Sequence, residues 1–190
     1  MTIMKHEDIL ISKILNGGDM ESFSVLVQSY QVQLYNFVYK MINSKEDTED
    51  ILQEIFIKVY NNLYKYNNKY SFSTWVYSIA VNTVKSSYKK RKCRPSNYFI
   101  DNLIEEISSS DNCPELLIES KEYYTKIIEV IDNLKEKQKT AFVLKYLKNF
   151  SYKEIGNIMC ISQEAAKMKV HRAKTILAEK LEILRKKGEL

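Results

Sequence analysis

The fold of this 190-residue chain is decided by residues 151–174, which read SYKEIGNIMCISQEAAKMKVHRAK. Ser151 with Glu154 three residues later predicts a capping box that starts one helix, and Ser162 predicts the N-cap of a second helix. Because the turn between the two helices is so short, the pattern predicts a helix-turn-helix. Apolar residues stand where two such helices must pack: Ile155, Ile158, Ile161, Ala166 and Val170.

The outer face of the second helix is polar and largely basic. A helix fits the major groove of DNA, where its first turn reaches base edges and its basic residues neutralise phosphates. The residues expected to do so are Ser162, Gln163, Glu164, Lys167, Lys169 and Arg172. The alternative is an ordinary helical hairpin with solvated lysines. Cys160 stands in the turn where glycine would accept a positive φ, which predicts either a strained turn or another geometry.

Helical spacing also dominates the chain before this motif. Gly17 and Gly18 end a first helix, Asp19 starts a long second one, and Ser44 with Asp47 starts a third. The third helix is expected to bury Ile51, Leu52, Ile55, Phe56, Val59, Tyr60 and Leu63. No segment alternates with period two, and four Gly and two Pro argue against a turn-rich β fold. The sequence therefore predicts an all-α protein.

Charge divides the chain into three parts. Residues 1–95 carry 13 Lys and Arg against 9 Asp and Glu, residues 96–120 carry 6 acids and no Lys or Arg, and residues 121–190 carry 16 against 9. This distribution predicts a helical bundle over 1–95, a flexible acidic linker over 96–113, and a second helical domain over 114–190 that contains the helix-turn-helix. Two basic domains favour a polyanionic partner, nucleic acid. The alternative is solvated helix faces in a lysine-rich proteome, since the chain has 25 Lys and 4 Arg.

A second basic surface is predicted on the helix over 73–92 and on the loop before it. The helix contributes Asn82, Lys85, Lys89, Lys90 and Arg91, and the loop contributes Asn67, Asn68, Lys69, Tyr70 and Ser71. A cationic ridge suits a phosphate backbone, and unstacked bases can lie on aromatic rings beside such a loop. For Phe72 and Trp75 the alternative, that they belong to the core, is favoured.

The outer face of the helix over 44–63 has the opposite character. It presents Asp47, Asp50, Gln53, Glu54 and Ile57 at helical spacing. An acidic face with an isoleucine is an odd surface for binding a polyanion, so it indicates a protein partner. A merely solvated face is the alternative.

We expect that the chain catalyses no reaction by itself. The three cysteines are far apart, the two histidines have no metal-ligand partners nearby, and no catalytic set or phosphate-binding loop is present. We therefore expect no catalytic residue, no metal and no cofactor. No apolar run approaches about 18 residues and the first residues do not resemble a signal peptide, which predicts a cytoplasmic protein with no membrane insertion.

In order along the chain, three stretches resemble the extracytoplasmic-function (ECF) sigma factors of the sigma-70 family. They read DTEDILQEIFIKVYNNL over 47–63, FSTWVYSIAVNTVKSSYKKRK over 72–92, and LKEKQKTAFVLKYLKNFSYKEIGNIMCISQEAAKMKVHRAK over 134–174. In that family the first two belong to region two and the third to region four. Regions one and three are missing, which agrees with the short chain.

The resemblance implies an alternative sigma factor that binds core RNA polymerase and directs promoter recognition and melting. It implies that Asp50, Gln53 and Glu54 face the beta-prime clamp helices of the polymerase. It further implies that residues 67–71 and Asn82 read the melted minus-ten element, that the ridge over 85–91 holds its backbone, and that residues 163–172 enter the minus-thirty-five major groove. An anti-sigma factor is a further candidate partner.

The chain departs from the family pattern in the second helix of the motif. Glu164-Ala165-Ala166 replaces the commoner Gly-Thr-Val, and Lys169 replaces an arginine. Lysine cannot make the bidentate contact with guanine that arginine makes, so the difference concerns the bases read and not the fold.

Two other classes of protein are the alternatives. One is a stand-alone helix-turn-helix regulator with a helical dimerisation or sensor module. The other is a protein-interaction adaptor, which leaves the helix-turn-helix unexplained. A stand-alone regulator binds duplex DNA by itself, whereas a sigma factor does so only with core polymerase.

Overall fold

The structure, a computed structural model, describes residues 2–91 and 126–187, with side chains for 7–88 and 126–187. The helices are α1 (Thr2–Gly17), α2 (Met20–Ile42), α3 (Lys45–Asn62), a 3₁₀ turn (Leu63–Lys65), α4 (Phe72–Arg91), α5 (126–132), α6 (Glu136–Tyr146), α7 (Tyr152–Met159) and α8 (Gln163–Lys186). No β-strand occurs in the described ranges. The all-α prediction is confirmed, while the predicted linker over 96–113 lies outside the described residues.

The predicted helix starts coincide with side-chain caps. Asp19 accepts from the amides of Glu21 and Ser22 at the start of α2, and Ser44 accepts from the amide of Asp47 at the start of α3. These caps satisfy amides that have no partner within the helix. Gly18, just after α1, has a φ of 63°, the left-handed conformation expected for a glycine cap.

Helices α1 to α4 form the first module, built around α2. The fully buried residues at its centre include Leu34, Phe37, Ile55 and Tyr77. Tyr60 is an exception to the predicted α3 core, because its side chain is 41% exposed. Its ring lies edge-on against Phe23 with centroids 4.9 Å apart, at the rim of the core rather than inside it.

Helices α6 to α8 form the second module, with α7 and α8 packed as a helix-turn-helix. This module lies directly against the first, because α4 packs on α7 and α2 packs on α6. The ring of Tyr77 in α4 meets the ring of Phe150, just before α7, with centroids 5.0 Å apart. One cluster of buried apolar residues therefore runs through both modules. The sequence predicted the two modules but not this contact.

Candidate nucleic-acid interface

Two residues, Cys160 and Gly156, set the geometry of the helix-turn-helix turn. Cys160 adopts φ 53° and ψ 48°, so the cysteine takes the left-handed conformation usually left to glycine. The amide of Ile161 then donates to the carbonyl of Gly156 at 2.9 Å. A Cβ on Gly156 would lie 2.8 Å from the Ile161 carbonyl oxygen, so only glycine lets the turn close onto α7.

Sequence reasoning missed Gly156. A glycine inside a helix weakens the helix relative to alanine, and this one stands four residues before the turn rather than at a cap. A glycine inside a helix and close to a turn is the sequence signal for a close approach between the helix and the backbone of the turn.

The outer face of α8 presents most of the predicted major-groove residues. Gln163, Glu164, Lys167 and Arg172 are exposed. Ser162 is also exposed, but its hydroxyl accepts from the amide of Ala165 at 3.1 Å, so its observed role is to cap α8.

Lys169 differs from the prediction that it lies on the outer face. It is half-buried, because each residue advances about 100° around a helix and position 169 falls beside the buried Ala166, Val170 and Ala173. The outer face instead includes Met168, which is 51% exposed, and His171. The prediction named neither of these two residues.

On α4 the predicted basic ridge is exposed where side chains are described. Asn82 and Lys85 face solvent on one side of the helix. Residues 89–91 continue the helix, but their side chains lie outside the described set. The buried side of α4 includes Val76, Ala80 and Val84, as the sequence predicted.

The loop before α4 is held by aromatic residues. The hydroxyl of Tyr66 donates to the carbonyl of Tyr70 at 3.0 Å, and its ring packs against Phe72 and Trp75 with centroids 5.3 and 5.5 Å away. Burial raises the pKa of Tyr66 above its ordinary value. Phe72 is buried and Trp75 is half-buried, so the core role favoured for these two residues holds.

This scaffold projects four predicted residues into solvent: Asn67, Asn68, Lys69 and Tyr70. Asn68 has a φ of 54°, and the side chain of Asn67 accepts from the amide of Lys69 at 3.3 Å. Ser71 differs from them. Its hydroxyl accepts from the amide of Thr74 at 3.2 Å, so the half-buried Ser71 caps the start of α4.

The acidic face of α3 is exposed as predicted at Asp50, Gln53, Glu54 and Ile57, and the isoleucine is 59% exposed. Asp47 is half-buried and accepts from the Ser44 hydroxyl at 2.6 Å, so it belongs to the N-terminal cap of α3. Glu46 and Glu49 add two exposed acids that the prediction omitted.

Glu54 is paired within its own helix. The ammonium of Lys58 lies 2.5 Å from the Glu54 carboxylate and also donates to the Thr83 hydroxyl of α4 at 3.2 Å. Glu54 is therefore held at the α3 surface on the side that adjoins α4. An exposed pair of this kind adds little stability and leaves the carboxylate open to a partner.

Within 2–91 and 126–187, no group of three or more His, Cys, Asp and Glu is arranged to hold a metal ion. In the same ranges no helix has the length and hydropathy needed to cross a membrane.

Two family models match this chain. Residues 26–94 match Sigma-70 region 2, and residues 124–177 match Sigma-70, region 4. The first match contains α3, the loop and α4, and the second contains the helix-turn-helix.

The similarity to other proteins covers nearly the whole chain. It is 31% identical over 178 residues to the ECF RNA polymerase sigma factor SigW of Bacillus subtilis, covering 89% of this chain and 94% of SigW. It is 30% identical over 184 residues to the ECF RNA polymerase sigma-E factor of Escherichia coli K12, covering 94% and 95%.

The chain belongs to the ECF RNA polymerase sigma factors of the sigma-70 family. It is an alternative sigma factor, a transcription initiation factor with core RNA polymerase and promoter DNA as partners, and not an enzyme in its own right.

Solved structures share the fold. CnrH, in complex with the cytosolic domain of CnrY, has a TM-score of 0.70 and 17% identity, covering 94% of this chain and 98% of CnrH. The sigma factor RpoE of Bartonella quintana, in complex with the anti-sigma factor NepR, has a TM-score of 0.63 and 17% identity, covering 86% and 98%.

Proposed function

We propose that three surfaces of this sigma factor divide its work in transcription initiation. The acidic face of α3 binds the beta-prime clamp helices of core polymerase, the loop over 67–71 with α4 reads the melted minus-ten element, and the start of α8 reads the minus-thirty-five element. The observation that carries the proposal is that one exposed acidic face and two exposed polar, basic surfaces lie on different helices of two modules.

The α3 face suits a protein partner. Asp50, Gln53 and Glu54 precede the exposed Ile57 on the same side of the helix, which puts an apolar contact beside two carboxylates and one amide. Asp47 contributes indirectly in this proposal, by capping the helix that presents the others.

The loop before α4 suits single-stranded DNA. Tyr70 offers an exposed ring, and Asn67 and Asn68 offer amides that can pair with base edges. Asn82 and Lys85 lie along the same helix that the loop enters. Lys89, Lys90 and Arg91 extend this surface as a phosphate-binding ridge in the proposal.

The proposal assigns region two to 1–95 and region four to 114–190, joined by the linker over 96–113. We also propose that the protein acts in the cytoplasm, beside the polymerase. An anti-sigma factor as a regulating partner is also part of the proposal, since the fold is shared with RpoE of Bartonella quintana, which is in complex with the anti-sigma factor NepR.

The deciding experiment is run-off transcription from a genomic promoter library with core polymerase, with and without the purified chain. We expect promoter-specific transcripts only when both are present, and no shift of duplex DNA by the chain alone. A specific shift by the chain alone, with no effect on transcription by core polymerase, would instead support the stand-alone regulator.

A further inference from the structure

One side-chain hydrogen bond closes the loop before α4. The hydroxyl of Tyr66 donates to the carbonyl of Tyr70 at 3.0 Å, across the exposed residues 67–69. Both ends of this loop are anchored to neighbouring helical backbone. The amide of Tyr66 donates to the Leu63 carbonyl of the 3₁₀ turn at 3.0 Å, and the Ser71 hydroxyl caps α4. The Tyr66 hydroxyl therefore joins the two anchored ends of the loop.

The ring of Tyr66 is held by the core and not by the loop. Its centroid lies 5.3 Å from that of Phe72 and 5.5 Å from that of Trp75, both in α4. Phe72 is buried and packs edge-on against Tyr30 of α2, with centroids 5.6 Å apart. The Tyr30 hydroxyl donates in turn to the Glu7 carboxylate of α1. Because this aromatic cluster belongs to the packed first module, it fixes the position from which the Tyr66 hydroxyl donates.

The contacts within the loop lie on the exposed surface. The Asn67 side chain accepts from the Lys69 amide at 3.3 Å, and the Lys69 ammonium lies 5.7 Å from the centroid of the Tyr70 ring. Asn68 has a φ of 54°, in the left-handed region that few residues other than glycine adopt. Water competes for exposed hydrogen bonds, so these contacts restrict the loop only weakly. The bond from the half-buried Tyr66 connects the loop backbone to the packed core.

Order in the free loop affects how tightly it binds a ligand. A segment that is mobile before binding loses conformational entropy when it binds, and this loss lowers the affinity. A loop that already has its bound conformation avoids the loss. Because the Tyr66 hydroxyl binds a backbone carbonyl, it orders the main chain of the loop and leaves the loop side chains free to bind a ligand.

We propose that Tyr66 is a positioning residue for minus-ten recognition, whose hydroxyl holds the loop over 67–70 in the conformation that captures unpaired bases. Tyr66 acts through the loop backbone and makes no contact with DNA itself. This inference rests on the proposed function, in which the same loop reads the melted minus-ten element. Loss of the hydroxyl therefore lowers the affinity of the holoenzyme for unpaired minus-ten DNA and leaves its assembly with core polymerase unchanged.

The first test compares Tyr66→Phe with Tyr64→Phe in the holoenzyme, on a forked promoter template whose minus-ten element is single-stranded. Tyr66→Phe removes the hydroxyl and keeps the packed ring, whereas Tyr64→Phe removes a hydroxyl from a ring of a residue that is 68% exposed. Loss of one neutral hydrogen bond predicts a template affinity about three- to tenfold lower for Tyr66→Phe. Tyr64→Phe should bind the template as wild type does, and both variants should bind core polymerase normally.

The second test measures the order of the loop in the free, full-length chain. NMR relaxation gives a backbone order parameter for each amide, about 0.85 in rigid structure and below about 0.6 in flexible segments. In Tyr66→Phe we expect lower order parameters over 67–70 and unchanged values in the buried part of α4. A loss of fold stability alone would not lower the values in the loop selectively. Unchanged values in the loop overturn the positioning role.

A rescue variant keeps the proposal testable if Tyr66→Phe also destabilises the fold. Replacing Tyr66 with para-aminophenylalanine keeps the ring and restores a donor in place of the hydroxyl. We expect it to recover most of the lost loop order and template affinity. A folded rescue variant that recovers neither overturns the role of the hydrogen bond.

Tyr70→Ala separates this inference from the proposed function. It removes the exposed ring of Tyr70 but keeps the carbonyl that accepts from Tyr66. If Tyr70→Ala binds the forked template weakly while Tyr66→Phe binds it as wild type does, the positioning role alone is overturned. If both variants bind as wild type does, the loop does not read DNA and the proposed function of the loop fails with it.

Discussion

Gln163 and Lys167 lie one helical turn apart on α8, and their side chains suit different contacts with DNA. The glutamine amide has a donor and an acceptor that match an adenine edge, whereas lysine is a flexible point charge that suits phosphate. Both side chains are exposed. Sequence readout and backbone anchoring can therefore be separated by single substitutions.

We predict that Gln163→Ala changes which minus-thirty-five bases are preferred, by about 1–3 kcal/mol at the affected base pair. Lys167→Ala should weaken all promoters alike and lower the salt slope by about one. Holoenzyme binding to a randomised minus-thirty-five library at two salt concentrations measures both effects. If Lys167→Ala rewrites the base preference and Gln163→Ala does not, the two roles are reversed.

Gly156 allows a test of the turn itself. Gly156→Ala should destabilise the protein by about 1–3 kcal/mol, because its methyl group would meet the Ile161 carbonyl. Gly17→Ala is the matched control, since a Cβ there meets nothing within 4 Å and should leave stability equal or slightly higher. Urea unfolding measures both variants. Equal stability of the two would show that the turn can relax.

Single residues show which roles could be predicted from the sequence and which could not. The capping box of Ser151 and Glu154 follows from a local spacing, so it was predictable and forms in full. Asp47 and Ser71 were assigned to binding surfaces, yet each takes part in capping a helix. Periodicity reports the face on which a residue lies, but a polar side chain near a helix start can serve the backbone instead of a partner.

At the scale of the element, α3 has one buried side and one exposed, largely acidic side. Ile51, Ile55 and Val59 are buried, while Asp50 and Glu54 face solvent. Charge reversal on the outer side should therefore leave the helix intact and still change how a partner binds.

We predict that Glu54→Lys weakens binding to core polymerase by about 1–3 kcal/mol, as for the loss of a charge-assisted contact. Glu179→Lys makes the same charge change at an exposed site on α8 and should bind normally. Co-purification with core polymerase measures the effect, and far-UV circular dichroism checks helix content. Stoichiometric co-purification of Glu54→Lys would remove this residue from the interface.

The N-cap of α2 predicts a response to pH. The hydrogen bond from the Ser22 hydroxyl, followed by that from the Ser22 amide, lowers the pKa of Asp19 below its ordinary value of 3.8. The folded state thus favours the carboxylate, and its stabilising effect is present above the unfolded-state pKa and is lost as the pH falls through the folded-state value.

We therefore expect wild-type protein to lose its advantage in melting temperature over Asp19→Asn as the pH falls from about 5 to about 2. Asparagine still accepts a capping hydrogen bond but does not titrate. Ser22→Ala, which removes the donor hydroxyl, should reduce the acid sensitivity of Asp19. An advantage that persists at low pH would contradict the assigned cause.

At the scale of the whole molecule, the proposed role of Asn82 in promoter melting can be tested with the holoenzyme. If it captures an unstacked base, Asn82→Ala should impair open-complex formation more on duplex promoter than on a pre-melted template, by about 1–3 kcal/mol. Base capture offsets the cost of strand separation, and a pre-melted template no longer bears that cost. Permanganate footprinting on both templates measures the difference. Equal loss on both points to a folding defect.

The arrangement of the modules was beyond sequence reasoning for a physical reason. Helix starts and buried faces depend on neighbours within a few residues, whereas the Lys139 ammonium donates to the carbonyl of Met41, 98 positions away. A lysine on a helix with other lysines is predicted to be a solvated charge, and no neighbouring residue in the sequence indicates that it is buried. The two modules were predictable, but their contact was not.

The contact between Lys139 and the C-terminal end of α2 also affects how fragments of this protein behave. A fragment that ends at residue 91 keeps every helix of the first module but loses the ring that covers Tyr77 and the ammonium at the Met41 carbonyl. Its newly bare apolar surface favours self-association. In the intact chain one buried cluster covers these surfaces of both modules, so we expect the first module to be less stable alone than within the whole protein.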